Sequence, residues 1–169
     1  SGGRARAPWL LSVTDAGGSR QVESGPVDSS YGLLKTRSVD VAAQEDGKSF
    51  VWSGPASFHL TGPNADMSRQ LNNSFALRID WRIDAVGSGP TQVELGGKPF
   101  DVSGWVKAAP TGQVSTIKIP LRCFADAGAD LTKVGYATTV HGDKGLALTL
   151  LSARIEAVGE NLACPPTVK

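Results

Sequence analysis

Hydrophobic and polar residues alternate along much of this chain, and the clearest alternation covers residues 74–84. Every second position there is hydrophobic, and the positions between are mostly charged. A helix would scatter both sets around its circumference, whereas a strand places them on opposite faces. The run therefore predicts a half-buried strand whose two faces carry Phe75, Leu77, Ile79, Trp81 and Ile83 on the hydrophobic side, and Ala76, Arg78, Asp80, Arg82 and Asp84 on the polar side.

Six further stretches show the same alternation, with turn signals such as Gly54-Pro55 and Gly96-Gly97 between them. They cover residues 9–13, 50–52, 58–60, 93–95, 116–121 and 146–157. Many short strands separated by turns are typical of an all-β fold, either an antiparallel sandwich or a barrel. The pattern lacks the long amphipathic helices that a parallel α/β sheet requires.

Two segments leave a helix open as an alternative. Residues 64–71 predict one or two helical turns, with Asn64 or Asp66 as the capping residue. Residues 152–163 also fit a helix in part, but Gly159 interrupts them and their hydrophobic residues alternate. This second segment is therefore predicted as a strand.

Composition and charge limit the classes of protein further. The 169 residues include 17 basic and 16 acidic side chains, which leave a net charge of +1. The length fits one domain, which we predict as a tail or linker over 1–8, a β-sandwich over 9–165 and a C-terminal tail over 166–169. No hydrophobic run is long enough to span a bilayer, and near-neutral charge gives no reason to expect nucleic acid. We therefore expect neither nucleic acid nor a membrane as a partner.

Motifs that would indicate catalysis or a bound cofactor are missing from the sequence. It contains no G-x-S-x-G nucleophile elbow, and its Gly pairs lack the spacing of phosphate-binding loops. His59 and His141 lie far apart, and the Cys and His residues have no zinc-like spacing. The carboxylates of residues 45–46, and of Asp80 with Asp84, are either calcium ligands or solvated charges. We expect no catalytic residue and no cofactor, with structural calcium as the open alternative.

The two cysteines, Cys123 and Cys164, allow two interpretations. They form a disulfide if the protein is exported, or they remain separate thiols, one buried and one in the C-terminal tail. A disulfide closing a loop of about 40 residues would add roughly 4 kcal/mol of stability in the chain-entropy model.

Four tryptophans are candidates for stacking on a sugar ring, whose C–H face is apolar. Trp81 and Trp52 share faces with other hydrophobic residues and are predicted to lie in the core. Trp9 precedes a hydrophobic run and is predicted to pack in the core or at its edge. Trp105 lies beside Gly104 and Ser103, which makes it the best candidate for an exposed aromatic platform.

The polar face of the first strand offers a second candidate surface for sugar hydroxyls, which need both donors and acceptors. Arg78, Asp80 and Arg82 project from it about 7 Å apart. If the following strand pairs with this one, Gln92 and Glu94 flank that row. An ion-pair ladder between neighbouring strands is the alternative interpretation.

Several strings resemble a known family. They cover residues 40–47, 51–54, 117–131, 146–155 and 164–165, and the most specific reads I-P-L-x-C-F-x-x-x-G-A-D-L. Over most of its length, the chain resembles the C-terminal galactose-binding-like domain of bacterial exo-β-glucanases and β-glucosidases of glycoside hydrolase family 3. Gln44, Asp46 and Trp52 lie in the matching strings, without an assigned role.

The resemblance implies a jelly-roll sandwich, similar to carbohydrate-binding modules, attached to the catalytic domains of an exported bacterial enzyme. It implies no catalytic residue in this chain, since the family's nucleophile and acid/base carboxylate belong to other domains. Asp80 and Asp84 would stand roughly 13 Å apart on one strand, beyond the separation of a retaining pair. We therefore expect a non-catalytic module that packs on the catalytic domains and binds β-glucan, or alternatively a docking or dimerisation module without glycan binding.

Overall fold

The computed structural model describes residues 10–15, 18–24, 33–35, 39–43, 47–72, 74–159 and 161–168. Their strands form two six-stranded antiparallel sheets, which confirms the predicted all-β sandwich. In spatial order, sheet 1 consists of β2 (Gly18–Ser24), β1 (Leu10–Asp15), β6 (Ala56–Ala65), β11 (Val134–Gly142), β8 (Gln92–Leu95) and β9 (Lys98–Asp101). Sheet 2 consists of β10 (Val114–Pro120), β7 (Phe75–Ala85), β12 (Ala147–Ala157), β5 (Lys48–Trp52), β4 (Val39–Ala43) and β3 (Leu33–Lys35).

Three short helices occur within the described residues, namely α1 (Ser68–Asn72), α2 (Ser103–Ala108) and α3 (Leu121–Asp126). In this part of the chain, no helix has the length and hydrophobicity needed to cross a membrane.

The core lies between the sheets, where hydrophobic side chains of both inner faces meet. Phe50 of β5 and Phe58 of β6 stack across the core with their ring centroids 4.3 Å apart, and both are fully buried. Burying a side chain of this size contributes about 1.5–3 kcal/mol. Trp81 and Trp52 are also buried, as predicted. Because these residues must face inward, the alternate positions on the same strands face outward.

Strand β7, which corresponds to the strand predicted over residues 74–84, pairs with β10 on one side and β12 on the other. Its Ile79 lies opposite Ile117 of β10 and Ala153 of β12. The two faces predicted for residues 74–84 are confirmed, since Ile79 is buried whereas Arg78 and Asp80 lie on the outer face.

The two open helix alternatives resolve differently. β6 continues through Ala65, so that of the predicted helical segment 64–71 only the part from Ser68 onward is helical. Asp66 accepts a hydrogen bond from the backbone N–H of Ser68 at 2.9 Å. In the segment 152–163, β12 extends to Ala157, which confirms a strand up to that residue.

Helices α2 and α3 were not predicted, because each is only six residues long and shows too little periodicity. Leu121, which was predicted to end a strand, instead begins α3 directly after Pro120. Pro120 precedes the helix as its N-cap residue and has the extended backbone typical of that position. Leu121 and Phe124, three positions apart, then lie on the buried side of α3.

Candidate functional site

The predicted row Arg78, Asp80 and Arg82 lies on the outer face of sheet 2 within a network of charges. Asp80 accepts hydrogen bonds from Arg78 Nε at 3.0 Å and from Thr116 Oγ1 at 2.5 Å. Its other oxygen accepts from Ser152 Oγ at 2.7 Å. Partial burial raises the pKa of the Asp80 carboxyl, but the hydrogen bonds from Thr116, Ser152 and Arg78 outweigh this and hold the pKa below its usual value.

The other carboxylates of this face are engaged in the same way. Glu156 contacts Arg78 at 3.1 Å and Arg154 at 3.2 Å. Asp84 contacts Arg82 Nε at 2.6 Å. We call this network the ion-pair ladder, and it consists of Arg78, Asp80, Arg82, Asp84, Thr116, Lys118, Thr149, Ser152, Arg154 and Glu156. Its donors and acceptors pair mainly with one another, which favours the ladder interpretation over a glycan surface.

Gln92 and Glu94 do not flank this row, so that part of the prediction is wrong. Both lie on β8, which pairs with β11 and β9 in sheet 1. The chain crosses from one sheet to the other after β7 rather than forming a hairpin. Gln92 and Glu94 therefore contribute to the opposite outer face of the sandwich.

On that face, the sequence analysis did not predict a group that we call the histidine cluster. It consists of Thr14, Ser57, His59, Glu94, Thr139 and His141. Strand register brings it together, because Thr139 lies opposite His59 on one side and Glu94 on the other. Alternation alone indicates that His59 and His141 face away from the core, but it does not indicate that β6 and β11 are neighbours.

His59 is held by hydroxyl groups. Its Nδ1 lies 3.0 Å from Thr139 Oγ1, and its Nε2 lies 2.9 Å from Thr14 Oγ1 and 3.2 Å from Ser57 Oγ. Burial lowers the pKa of His59, His141 lowers it further, and Glu94 partly opposes this shift. The imidazole thus contacts hydroxyl groups at both nitrogens.

His141 pairs with Glu94, with His141 Nε2 3.2 Å from Oε1. This hydrogen bond lowers the pKa of Glu94 below its usual value, although burial opposes the shift.

Among the described residues, no three His, Cys, Asp or Glu side chains are arranged to hold a metal ion. Trp9, Gln44, Glu45 and Asp46 lie outside the described residues.

Trp105 lies on α2, beside the edge strand β10, and its side chain remains 36% exposed. Val106 is buried and holds the helix against the core, while Asp101 accepts a hydrogen bond from the backbone N–H of Ser103 at 2.9 Å. The helix ends before Pro110, which cannot donate a backbone hydrogen bond. Trp105 is therefore an aromatic side chain on a short, anchored helix.

A cleft of about 480 Å³ separates Trp105 from β10, and we call it the Trp105 cleft. Ser115 and Ile117 line it from one side of the strand, and Thr116 and Lys118 from the other. Since side chains alternate along a strand, the cleft straddles the edge of sheet 2. Among the described residues, the buried hydroxyl of Ser115 has no hydrogen-bond partner. Thr116 also contacts Asp80, so the cleft adjoins the ion-pair ladder.

The C-terminal segment, residues 161–168, borders this cleft through Leu162. Cys123 and Cys164 form a disulfide with a Cα–Cα distance of 5.7 Å, one of the two alternatives for these residues. The Arg122 guanidinium donates to Asn161 Oδ1 at 3.3 Å and to the Leu162 carbonyl. Farther along, the backbone N–H of Asp101 donates to the carbonyl of Pro166 at 2.8 Å. The segment is thus held to α3 and to β9.

Comparison with known proteins agrees with this architecture. A family model named Exop_C, described as galactose-binding domain-like, matches residues 7–155. The extra C-terminal domain of the exo-1,3/1,4-β-glucanase ExoP from a Pseudoalteromonas species is 15% identical, with a TM-score of 0.72 over 99% of this chain and 96% of that domain. No curated protein matches the sequence.

The complete ExoP enzyme also matches this chain, at 16% identity and with a TM-score of 0.73. That superposition covers 97% of this chain but only 21% of the enzyme, so the chain spans about a fifth of its length. The family match confirms the resemblance to a galactose-binding-like domain, and the structural matches agree with its sandwich fold.

Proposed function

The chain belongs to the galactose-binding domain-like family Exop_C, and from this membership we propose that it is an accessory module of an exported exo-β-glucanase or β-glucosidase that holds β-glucan near the catalytic domains. The name of the relative, an extra C-terminal domain of an exo-1,3/1,4-β-glucanase, supports this choice of enzyme and polysaccharide. The disulfide between Cys123 and Cys164 supports export, because such bonds persist in oxidising compartments.

The Trp105 cleft is the observation that carries the proposal. An exposed indole ring faces the apolar C–H side of a pyranose, and neighbouring hydroxyl and ammonium groups bind the sugar hydroxyls. Thr116 and Lys118, which also belong to the ion-pair ladder, supply such groups at the opposite wall.

The two other polar surfaces support binding less well. In the ion-pair ladder, Asp80 and Glu156 already accept several hydrogen bonds each, and a glycan would have to replace them. In the histidine cluster, both ring nitrogens of His59 are within hydrogen-bond distance of hydroxyl groups. In addition to polar groups, the Trp105 cleft offers exposed aromatic surface.

Isothermal titration of the purified chain with laminarin, cello-oligosaccharides and mixed-linkage β-glucan tests the proposal. We expect binding, and we expect Trp105→Ala to weaken it about tenfold or more. Val51→Ala is the matched control, because Val51 is also an exposed hydrophobic residue but lies three strands away on β5. Failure of the unmodified chain to bind any of these glucans would leave the docking or dimerisation role in its place.

A further inference from the structure

A second depression lies on the other side of Leu162 from the Trp105 cleft. It measures about 370 Å³ and lies where β7 begins and β10 and β12 end. Its lining includes Leu71, Ser74, Phe75, Arg122, Asn161 and Leu162. Because Leu162 lines both depressions, they are neighbours that share one wall.

We propose that these two depressions are successive sugar subsites of one groove, and that the groove takes a β-linked gluco-oligosaccharide rather than a single sugar. This inference rests on the proposed function and adds a second subsite to it. Each volume lies in the lower part of the range of small-molecule sites, and neither is large enough for an extended oligosaccharide alone.

The second depression has the mixed chemistry that sugar binding requires. Leu71 and Phe75 supply apolar surface for C–H groups. Asn161 uses its carbonyl oxygen to accept from Arg122, which leaves both amide N–H groups as donors to a ligand. The Ser74 hydroxyl makes no hydrogen bond within the described part of the chain, so it can donate and accept.

The backbone at Ser74 also marks this site. Its φ is +59°, a left-handed conformation that residues with a Cβ atom adopt unfavourably. Such a conformation persists only where surrounding contacts enforce it, and the Ser74 carbonyl accepts a hydrogen bond from the N–H of Val158 at 3.0 Å. This contact fixes the rim of the depression against the end of β12.

The wall between the subsites is rigidly held. Leu162 lies two residues before Cys164, whose disulfide joins the segment to α3. Arg122 of α3 donates to Asn161 and to the Leu162 carbonyl on the same segment. A groove whose dividing wall is fixed before binding loses little conformational freedom when an oligosaccharide enters.

The second subsite is tested by measuring affinity as a function of oligosaccharide length. Titration of the 169-residue chain with glucose and with β-1,3- and β-1,4-linked glucose oligosaccharides of increasing length should show an increase in affinity of about tenfold once both depressions are filled. Asn161→Ala and Ser74→Gly should abolish this increase. Glycine tolerates the left-handed backbone at position 74, so the second variant removes the hydroxyl without added strain.

Asn72→Ala is the matched control, because Asn72 is exposed on α1 and does not line the depression. Thermal unfolding of every variant checks that the fold is retained. An affinity that depends on Trp105 but not on the length of the oligosaccharide would overturn the second subsite and leave the proposed function intact. Absence of binding at every length would overturn the proposed function, and this inference with it.

Discussion

His141 Nε2 lies 3.2 Å from Glu94 Oε1 on the outer face of sheet 1, although 47 positions separate the two residues in the sequence. The pair lies beside His59, which His141 and Glu94 both influence electrostatically. Two titrating groups of this cluster, His59 and Glu94, therefore make the stability of the sandwich depend on pH in two separate ranges.

His59 governs the upper range. Its folded-state pKa is lowered from 6.5 by burial and by His141. As the pH falls through 6.5, His59 is protonated in the unfolded chain before it is protonated in the folded chain. The free energy of unfolding therefore decreases until the pH reaches the folded-state pKa. Urea unfolding measured between pH 7.5 and pH 5 should show this loss, and His59→Gln should reduce its slope.

Glu94→Gln is the control for this experiment, because it leaves His59 in place. The loss of stability below pH 6.5 should persist in that variant. It should also be larger than in the parent chain, because the substitution removes the negative charge that raises the pKa of His59. An unchanged slope in His59→Gln would show that the histidine does not cause the effect.

Glu94 governs the lower range. Its folded-state pKa lies below the ordinary value of 4.5, chiefly because of the hydrogen bond to His141. Its contribution to stability is therefore fully present above pH 4.5 and is lost as the pH falls through the folded-state pKa. Unfolding measured between pH 5 and pH 2.5 should show less acid destabilisation in Glu94→Gln than in the parent chain. Equal acid sensitivity of the two proteins would contradict this assignment.

The alternation of hydrophobic and polar residues predicted well which residues share a face. Ile79 and Trp81 lie in the core, and Arg78 and Asp80 lie outside, because a strand has a period of two whatever its neighbours are. The position of Trp105 as an exposed aromatic residue was also predictable, from the neighbouring Ser103 and Gly104.

Sequence alternation does not show which strands are neighbours. Gln92 and Glu94 would flank the row of Arg78, Asp80 and Arg82 only if β8 paired with β7, but the connection crosses to the other sheet. Likewise His59 and Thr139 meet only because β6 pairs with β11, a contact between residues 80 positions apart. Such long-range pairing depends on how the whole core packs, and no local pattern encodes it.

Reduction of the disulfide should destabilise the domain substantially. Cys123 and Cys164 are 41 positions apart, and constraining a loop of that length in the unfolded chain contributes about 4 kcal/mol. Urea unfolding with and without a reductant measures the difference. The double variant Cys123→Ala/Cys164→Ala should be about as unstable as the reduced protein and should not respond to reductant. A midpoint that is insensitive to reductant in the parent chain would contradict the expectation.

Removing the charge of Asp80 should also lower stability. Asp80 accepts from Arg78, Thr116 and Ser152, and bonds to a charged group contribute about 1.5–3 kcal/mol each where they are shielded from water. Because the ladder is partly exposed, we expect Asp80→Asn to lower the free energy of unfolding by about 1–2 kcal/mol. Asp126→Asn, at an exposed position on α3, should change it by less than about 0.5 kcal/mol. Equal effects of the two substitutions would show that the ladder adds no stability.

Two glycines should respond to alanine in opposite directions. A Cβ atom at Gly47 would collide with the backbone carbonyl of Leu150 on β12, which cannot move without disturbing the pairing with β5. At Gly104, a Cβ atom would meet nothing within 4 Å, and the residue lies in α2, where alanine is favoured. Gly47→Ala should therefore lower the free energy of unfolding by about 1–3 kcal/mol, whereas Gly104→Ala should raise it by about 0.5–1 kcal/mol. Thermal and urea unfolding of both variants measure these shifts, and destabilisation of both proteins to the same extent would contradict the packing described around β12 and α2.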